Sequence, residues 1–442
     1  MKLKVKRLIT FCCLFIPLIT ASQTIGIIQH LSCTKDTSQK YALYIPAKYD
    51  EQKLNPLLIF FDPAARGDFP IHLYQTLADN YGIIMAGSFN SQNFNGQSSV
   101  DAFVAVYNDI VGRYSIAPDK IWLAGFSGGA RAASLLAMNF SEVSGVIGCG
   151  AGFADNDQLN LAGLKSYAAI VGDKDMNYSE LMENSKYLDE KRVRNILLVF
   201  HGEHSWPPPG YMKASLEWLI DDTSVPVPPD NHLLSLVRAK ADSGYLYEAW
   251  FEAKELSKIK IYKDSAVILM NLIQKQEKFN SDRELFQRVS NDETNCMNSF
   301  SLLFSSMIFQ DKDIDDKSWK NILSQVTEMC YDKNIYRQLA GIRCLDHCIR
   351  SCREQFQHYM IMGQYNEAVK VGEVLTVFMS SEFTSWYFLA RAEAGAERKK
   401  QSQKYLEQAI SKGLKWSERI KNDQLLLKVF SLDELQKVFN KE

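Results

Sequence analysis

The sequence predicts a two-part protein, an α/β sheet domain followed by an all-α domain. From residue 23 to residue 222, short apolar runs of strand type alternate with helical patterns, as a parallel sheet covered by helices requires. From residue 235 to residue 442, apolar residues follow helical spacing, and no segment has the pattern of a strand. Residues 223–234 are rich in proline and predict a stiff linker between the two domains.

Seven strands are predicted in the α/β domain, with helices between them. The predicted strands are Tyr41–Ile45, Leu57–Phe61, Ile83–Ala86, Ile121–Ala124, Val143–Ile147, Ala168–Val171 and Ile196–Phe200. The predicted helices include Val100–Tyr114, Ala130–Met138 and Tyr178–Lys191. We therefore expect the strands to form one sheet, with functional loops at the ends where the strands finish.

The first 22 residues resemble a cleaved secretory signal. Four basic residues lie among the first seven, an apolar run extends from Leu8 to Thr20, and the small residues Ala21 and Ser22 follow. This pattern predicts export to a periplasm or the extracellular space, with no membrane span because the run is short and no later stretch is long enough.

The charge and the cysteines of the remaining chain exclude some classes of protein. Subtracting the four basic residues of the signal from the chain's 50 leaves 46 against 52 acidic residues, a net charge of about −6. This charge argues against nucleic acid or an anionic membrane as a partner. Seven of nine cysteines lie outside the signal, and an odd, scattered set does not predict a disulfide framework, although one or two bridges stay open.

A G-x-S-x-G pattern is the main functional motif. Gly125–Gly129 lies between the predicted strand Ile121–Ala124 and a predicted helix that begins near Ala130. In this strand–turn–helix context, the pattern predicts that Ser127 is a nucleophile exposed at the end of its strand. The alternative is an ordinary turn serine that caps the helix.

A serine nucleophile needs a base and an orienting acid, and both follow it in the expected order. The loop after the strand Ala168–Val171 contains Asp173 and Asp175, and Asp175 is the favoured acid. The loop after the strand Ile196–Phe200 contains His201 and His204, where His204 is the favoured base and His201 is expected to be structural. Trp206 either lines an acyl pocket or packs beneath this loop.

The α/β half resembles the α/β-hydrolase superfamily, and within it compact secreted esterases such as feruloyl and acetylxylan esterases and polyhydroxybutyrate depolymerases. Tyr41–Pro46 is similar to their opening strand, Asp175 matches the aspartate of their G-x-x-D turn, and His204 lies in a G-x-H-x-W arrangement. The resemblance implies a catalytic triad of Ser127, Asp175 and His204 that needs neither metal nor organic cofactor.

The resemblance also implies an oxyanion hole. Its donors would be the backbone N–H groups of Ala64 and Gly128. Here the chain departs from the esterases, because Asp62-Pro63 stands where they have His-Gly. Pro63 has no N–H but is not a donor in the pattern, so the hole can survive.

Two further polar features lie near the predicted site. A carboxylate at Asp62 would oppose an oxyanion unless it pairs with a cation, and Arg66 and Arg131 are the candidates. The polar stretch Ser88–Gln97 follows a strand on the same side, where it forms either part of a substrate mouth or a plain surface loop.

The helical half contains two segments that resemble tetratricopeptide-type helix pairs. They include Gly363–Ala368 and Trp386–Ala409, and the glycines Gly363 and Gly395 are 32 positions apart. Gly244–Ala249 is a weaker third instance, and an irregular helical bundle is an equal alternative.

Two other clusters resemble metal sites, but neither is expected to bind a metal. Cys344, Cys348 and Cys352 with His347 are interpreted as buried positions on one helix rather than zinc ligands. Asp311–Asp316 lacks the glycine and glutamate of a calcium loop and is interpreted as a solvated turn. No metal is therefore expected.

Taken together, the motifs predict an exported serine esterase that acts on a small-molecule or polysaccharide-linked ester. The alternative is a hydrolase scaffold that has lost its activity and whose helical domain binds a protein or peptide partner. A peptidase is a third and weaker reading. The acyl and alcohol groups of the substrate stay open.

Overall fold

The structure is a computed structural model that describes residues 24–93, 96–153, 161–220 and 231–440. The predicted signal, residues 1–22, and residues 223–230 of the predicted linker lie outside these ranges. The first helix after that gap begins at His232, within the last residues of the predicted linker.

The α/β half is built on one sheet of eight strands. Strands β1 to β8 are Gln29–Ser32, Lys40–Tyr44, Asn55–Phe61, Ile84–Ser88, Ile116–Phe126, Gly145–Cys149, Ser166–Gly172 and Arg194–Phe200. Their order across the sheet is β1-β2-β4-β3-β5-β6-β7-β8. All seven predicted strands are present, as β2 to β8.

The sheet is mixed, with an antiparallel part at one edge. Strands β1 and β2 pair antiparallel with each other, and β2 pairs antiparallel with β4, whereas β4, β3 and β5 to β8 are parallel. Strand β1 escapes prediction because its sequence, QHLS, is polar and half exposed. An antiparallel edge with one solvated face does not need the continuous apolar run of a central parallel strand.

Five helices cover the two faces of the sheet. They are α1 (Asp68–Tyr81), α2 (Gly96–Arg113), α3 (Gly128–Asn139), α4 (Tyr178–Glu190) and α5 (Pro209–Ile220). Alternate residues of each strand enter two separate cores, one shared with α1 and α5 and the other with α2, α3 and α4. Because β5 to β8 are parallel neighbours, their carboxyl ends lie at one edge of the sheet.

The C-terminal half is helical throughout residues 231–440, as predicted. Its helices α6 to α16 are His232–Asp242, Leu246–Leu256, Lys263–Gln274, Phe279–Gln310, Asp316–Cys330, Ile335–Ile361, Tyr365–Phe378, Phe383–Gly395, Lys399–Ser411, Glu418–Lys421 and Leu432–Phe439. The predicted repeat segments fall on α12 to α14, and their relation to tetratricopeptide repeats stays a prediction. None of the described helices is long and apolar enough to cross a membrane.

The helical half packs directly on the α/β half. Buried side chains of α6 to α8 extend one core, and those of α9 to α13 extend the other. At the sheet edge, the Glu255 carboxylate of α7 accepts a hydrogen bond of 2.9 Å from the backbone N–H of Leu197 in β8. The helix thus satisfies a donor that an open edge strand would leave unpaired.

The cysteine cluster of α11 is buried. Cys344, Cys348 and Cys352 have exposed fractions of 1% or less, and the seven cysteines of the described residues are all free thiols. His347 lies 3.0 Å from the Ser301 hydroxyl. Within the described ranges, no group of three or more His, Cys, Asp and Glu side chains is arranged to hold a metal ion.

Candidate active site

Ser127 lies at a strained turn between β5 and α3. Its backbone has φ 52° and ψ −123°, a region that side-chain-bearing residues rarely occupy and that is found at functional turns. A Cβ atom at Gly125 would lie 2.1 Å from the Gly129 carbonyl oxygen, and one at Gly129 would lie 2.0 Å from that of Phe61. Both glycines are therefore needed for the turn to pack.

The Ser127 side chain does not cap the helix that follows it. Its backbone N–H donates to the carbonyl of Cys149 at the end of β6, over 2.8 Å. The Ser127 hydroxyl makes no hydrogen bond with any residue that the structure describes. The alternative interpretation, in which Ser127 is an ordinary turn serine that caps the helix with its side chain, is therefore not observed.

The loops after β7 and β8 pair Asp175 with His204. Asp175 Oδ2 lies 2.8 Å from His204 Nδ1, and the two side chains are 0% and 4% exposed. The backbone N–H of Asn177 donates to the other carboxylate oxygen over 2.9 Å, which fixes the orientation of Asp175. A buried carboxylate on Nδ1 orients an imidazole so that its Nε2 faces away from the acid.

His204 lies close to the nucleophile turn. The His204 and Phe126 rings have centroids 4.6 Å apart, and Phe126 directly precedes Ser127. No hydrogen bond joins Ser127 and His204 among the described atoms, and in free enzymes this bond is often long until substrate binds. The fold therefore brings all three predicted triad residues to one edge, with the acid–base contact formed.

The rival acid and the rival histidine pair with each other. Asp173 Oδ2 lies 2.8 Å from His201 Nδ1, and the His201 side chain is 78% exposed. The other Asp173 oxygen accepts from the backbone N–H of Gly202, so this pair joins the two loops. Solvent surrounds His201, whereas His204 is enclosed.

Asp62 is buried and fully hydrogen-bonded. Its carboxylate accepts from Arg66 through Nε and Nη2, both at 2.9 Å, and from Trp206 Nε1 at 3.0 Å. Burial alone would raise the pKa of Asp62, but these donors and the backbone N–H of Ala64 outweigh it, so its pKa is lowered. Of the two expected partners, Arg66 is present and Arg131 is not.

Arg131 pairs instead with Glu180 of α4. Its two Nη atoms donate to the two Glu180 oxygens over 2.7 Å each, which is a bidentate contact. Burial would lower the pKa of Arg131, but Glu180 raises it overall. This pair joins α3, which begins after Ser127, to α4, which begins after the loop that contains Asp175.

Trp206 packs beneath the site rather than opening into it. Its ring is 8% exposed and contacts Phe60, Tyr74 and Phe126, with centroids 5.7 to 6.1 Å apart. Of the two interpretations offered for this side chain, packing under the loop is observed. Trp206 also donates a hydrogen bond from Nε1 to Asp62, and the position of Trp206 in the motif does not indicate this contact.

The two expected oxyanion donors differ in their surroundings. The Ala64 N–H donates to Asp62 Oδ1 over 2.9 Å and is therefore directed at a carboxylate. The Gly128 N–H, at the start of α3, donates to none of the described residues. The Gly128 N–H can therefore donate to an oxyanion, whereas the Ala64 N–H would first have to break its hydrogen bond to Asp62.

A helical side chain holds the acid loop from outside the sheet. Arg343 of α11 donates from Nη1 to the backbone carbonyl of Asp173 over 2.7 Å, and its guanidinium lies 4.4 Å from the ring centre of Tyr178. Glu293 of α9 accepts from Arg343 through both oxygens, and both side chains are at most 5% exposed. Sequence reasoning missed this contact, since no motif joins residues 170 positions apart.

Similarity to known proteins is found among solved structures. No protein-family model matches the chain, and neither does any curated protein. Among solved structures, the chain is similar to an S-formylglutathione hydrolase from Staphylococcus aureus, with a TM-score of 0.37, 14% identity, and coverage of 44% of this chain and 95% of that one. Est1E from Butyrivibrio proteoclasticus has a TM-score of 0.35 and 14% identity, with 44% and 99% of the two chains covered.

A third similar structure is a mutant feruloyl esterase module from Clostridium thermocellum in complex with sinapinate. Its TM-score is 0.35 at 14% identity, over 42% of this chain and 83% of the module. These similarities leave more than half of this chain unmatched.

Proposed function

We propose that this chain is an exported serine esterase with Ser127 as nucleophile, His204 as general base and Asp175 as the orienting acid. The observation that carries the proposal is the buried Asp175–His204 pair, which lies beside a strained serine turn at the same sheet edge. Burial and a single tautomer are what a base needs if it is to accept a proton from a serine hydroxyl.

In the first half of the reaction, Ser127 Oγ attacks the ester carbonyl carbon while its proton passes to His204 Nε2. The carbonyl π electrons move to oxygen, and the N–H of Gly128 at the positive end of α3 stabilises the resulting oxyanion. Asp175 stabilises the imidazolium. The intermediate then collapses, the bond to the alcohol oxygen breaks, and His204 gives its proton to the leaving alkoxide.

In the second half, water attacks the acyl-enzyme and gives a proton to His204. The second tetrahedral intermediate collapses with cleavage of the bond to Ser127 Oγ, which takes the proton back. The products are one carboxylic acid and one alcohol, and Ser127 is regenerated. Every proton and electron pair is supplied by the substrate, water and the triad.

A small-molecule or polysaccharide-linked ester is the proposed substrate. Support comes from the compact secreted esterases that the sequence resembles. Export rests on the sequence of residues 1–22, and the predicted net charge outside that segment argues against nucleic acid.

The second candidate is a scaffold without activity whose helical half binds a protein or peptide. One observation favours it: the Ala64 N–H is bonded to Asp62, so one of the two expected oxyanion donors is occupied. Against it, the acid–base pair is fully formed, and the helical half is packed against the acid loop through Arg343.

Hydrolysis of p-nitrophenyl acetate distinguishes the two candidates. We expect the wild-type chain to release p-nitrophenolate, and Ser127→Ala and His204→Ala to lower kcat to near the background rate. Ser205→Ala, an exposed hydroxyl in the histidine loop, is the matched control and should keep wild-type kcat. Equal rates in wild type and Ser127→Ala would refute the esterase proposal.

A further inference from the structure

The occupied Ala64 N–H leaves a gap in the proposed oxyanion hole. One donor, the Gly128 N–H, remains, whereas tetrahedral oxyanions are usually held by two or more donors. An oxyanion at the Ala64 amide would also lie close to the Asp62 carboxylate, which accepts a hydrogen bond of 2.9 Å from that N–H. Repulsion between like charges would oppose it there.

The side chain of Asn93 lies directly beside Gly128. A Cβ atom built on Gly128 would be only 1.8 Å from Asn93 Oδ1, 2.7 Å from Cγ and 3.1 Å from Nδ2. The carboxamide therefore packs directly on the residue whose N–H is the first donor. The absence of a side chain at Gly128 is what makes room for it.

Asn93 is held in this position by its backbone. Its N–H donates to the carbonyl of Pro63 over 3.0 Å, and the preceding residue, Gln92, forms an antiparallel bridge with Ala64. Residues 92 and 93, which follow β4, are thus joined to the loop after β3. The anchoring involves main-chain atoms only, so the side chain is left for another role.

The Asn93 carboxamide has no hydrogen-bond partner among the residues that the structure describes. It is partly buried rather than extended into solvent. A carboxamide carries two N–H donors, and rotation about its Cβ–Cγ bond exchanges the oxygen and the nitrogen at little cost. It can therefore direct Nδ2 at a negative oxygen that forms beside Gly128.

We propose that the Asn93 side-chain amide, together with the Gly128 N–H, forms the oxyanion hole of this chain in place of the Ala64 N–H. This inference rests on the proposed esterase function. Asn93 Nδ2 donates to the carbonyl oxygen as it becomes negative, and no covalent bond to Asn93 forms. Asp62, which pairs with Arg66 and accepts a hydrogen bond from Trp206, then has a structural role in holding the loop after β3.

The test measures kcat and KM for p-nitrophenyl acetate in the full chain. Removing one side-chain donor from an oxyanion hole lowers kcat by about 10²- to 10³-fold. We expect this loss in Asn93→Ala and in the isosteric Asn93→Asp, with KM changed by less than about threefold in Asn93→Ala. Gln92→Ala, its exposed neighbour, should keep wild-type kcat, and thermal melting of each variant checks that it is folded.

Gly128→Ala gives an independent check, because its methyl group would occupy the place of the Asn93 carboxamide. If Asn93 is the donor, Gly128→Ala lowers kcat in the wild-type background but has little further effect in Asn93→Ala. Equal losses in both backgrounds would show that the methyl group acts on something else, which contradicts the proposal.

The outcomes separate this inference from the proposed function. An active wild type with Asn93→Ala within about twofold of its kcat, or faster, overturns the role of Asn93 and leaves the esterase intact. A wild type with no Ser127-dependent hydrolysis overturns both.

Discussion

Arg343 offers a direct way to test whether the helical half supports the active site. Its guanidinium is bonded to Glu293 of α9, to the carbonyl of Asp173 in the acid loop, and stacks on Tyr178, the first residue of α4. Tyr178 in turn donates its backbone N–H to the carbonyl of Asp175 over 2.9 Å. Arg343 is thus linked to Asp175 through Tyr178, and replacing Arg343 removes this link.

The cost to stability follows from the burial of the pair. Arg343→Met leaves the Glu293 carboxylate, 0% exposed, without its cation, and loss of one partner of a buried pair costs about 3–5 kcal/mol. The lost bond to the Asp173 carbonyl adds about 1 kcal/mol. Replacing both members, in Arg343→Met with Glu293→Met, removes the unpaired charge and should recover most of the loss, because apolar replacement of buried pairs is often near neutral.

Activity and stability should separate in these variants. The double variant still lacks the guanidinium that holds the acid loop, so we expect its kcat to stay below wild type although its stability is recovered. The assay combines urea unfolding, followed by tryptophan fluorescence, with p-nitrophenyl acetate kinetics and the pH profile of kcat/KM. A displaced acid loop should change both kcat and the shape of that profile, whereas a loss of stability alone should change neither.

Arg398→Met is the matched control. Arg398 pairs with the buried Glu393 of α13, away from the acid loop, and its loss should lower stability but leave kcat and the pH profile unchanged. The reasoning about Arg343 is refuted if Arg343→Met costs less than about 1 kcal/mol. Its positioning role alone is refuted if the double variant recovers full kcat along with stability.

Two other predictions concern the carboxylates. Asp175→Asn should lower kcat for p-nitrophenyl acetate about 10⁴-fold, because it removes the acceptor that fixes the His204 tautomer. Asp173→Asn should change kcat only severalfold. Equal losses of kcat in the two variants would mean that the acid is misassigned. Asp62→Asn should lower the free energy of unfolding at pH 7 by about 1–3 kcal/mol, because one of the buried donors loses its acceptor. Since the folded pKa of Asp62 is lowered, its stabilisation is present above the ordinary value of about 3.9 and is lost as the pH falls through the folded pKa. Urea midpoints of wild type and Asp62→Asn should therefore converge at low pH, and a constant difference from pH 7 to pH 3 would contradict this.

Local sequence patterns were sufficient to predict the core of the candidate site. Ser127, Asp175 and His204 each follow an apolar run that forms a parallel strand of the sheet, and the carboxyl ends of parallel strands lie at a common edge. Gly125 is required by a close backbone contact within its own turn, and the G-x-S-x-G pattern also contains Gly129, which instead contacts the Phe61 carbonyl at the end of β3. The apolar runs and the turn at Gly125 depend on residues near each other in the sequence, so they can be inferred from it.

The parts that escaped prediction depend on contacts between distant segments. Trp206 reaches Asp62 across 144 positions, and Arg343 reaches Asp173 across 170. The motif for the oxyanion loop gives the place of Ala64 but not the direction of its N–H, which the buried carboxylate two residues earlier determines. Strand β1 has no apolar run, because it is a half-exposed edge strand.

Covalent labelling of Ser127 tests the central claim most directly. A fluorophosphonate reacts with a serine only when a base activates it, so the intact chain should gain one phosphonyl group, located by mass spectrometry on the peptide that contains Ser127. His204→Ala should abolish the label and His201→Ala should keep it. A wild-type chain that stays unlabelled, or a label on another serine, would contradict the assignment of Ser127 as an activated nucleophile.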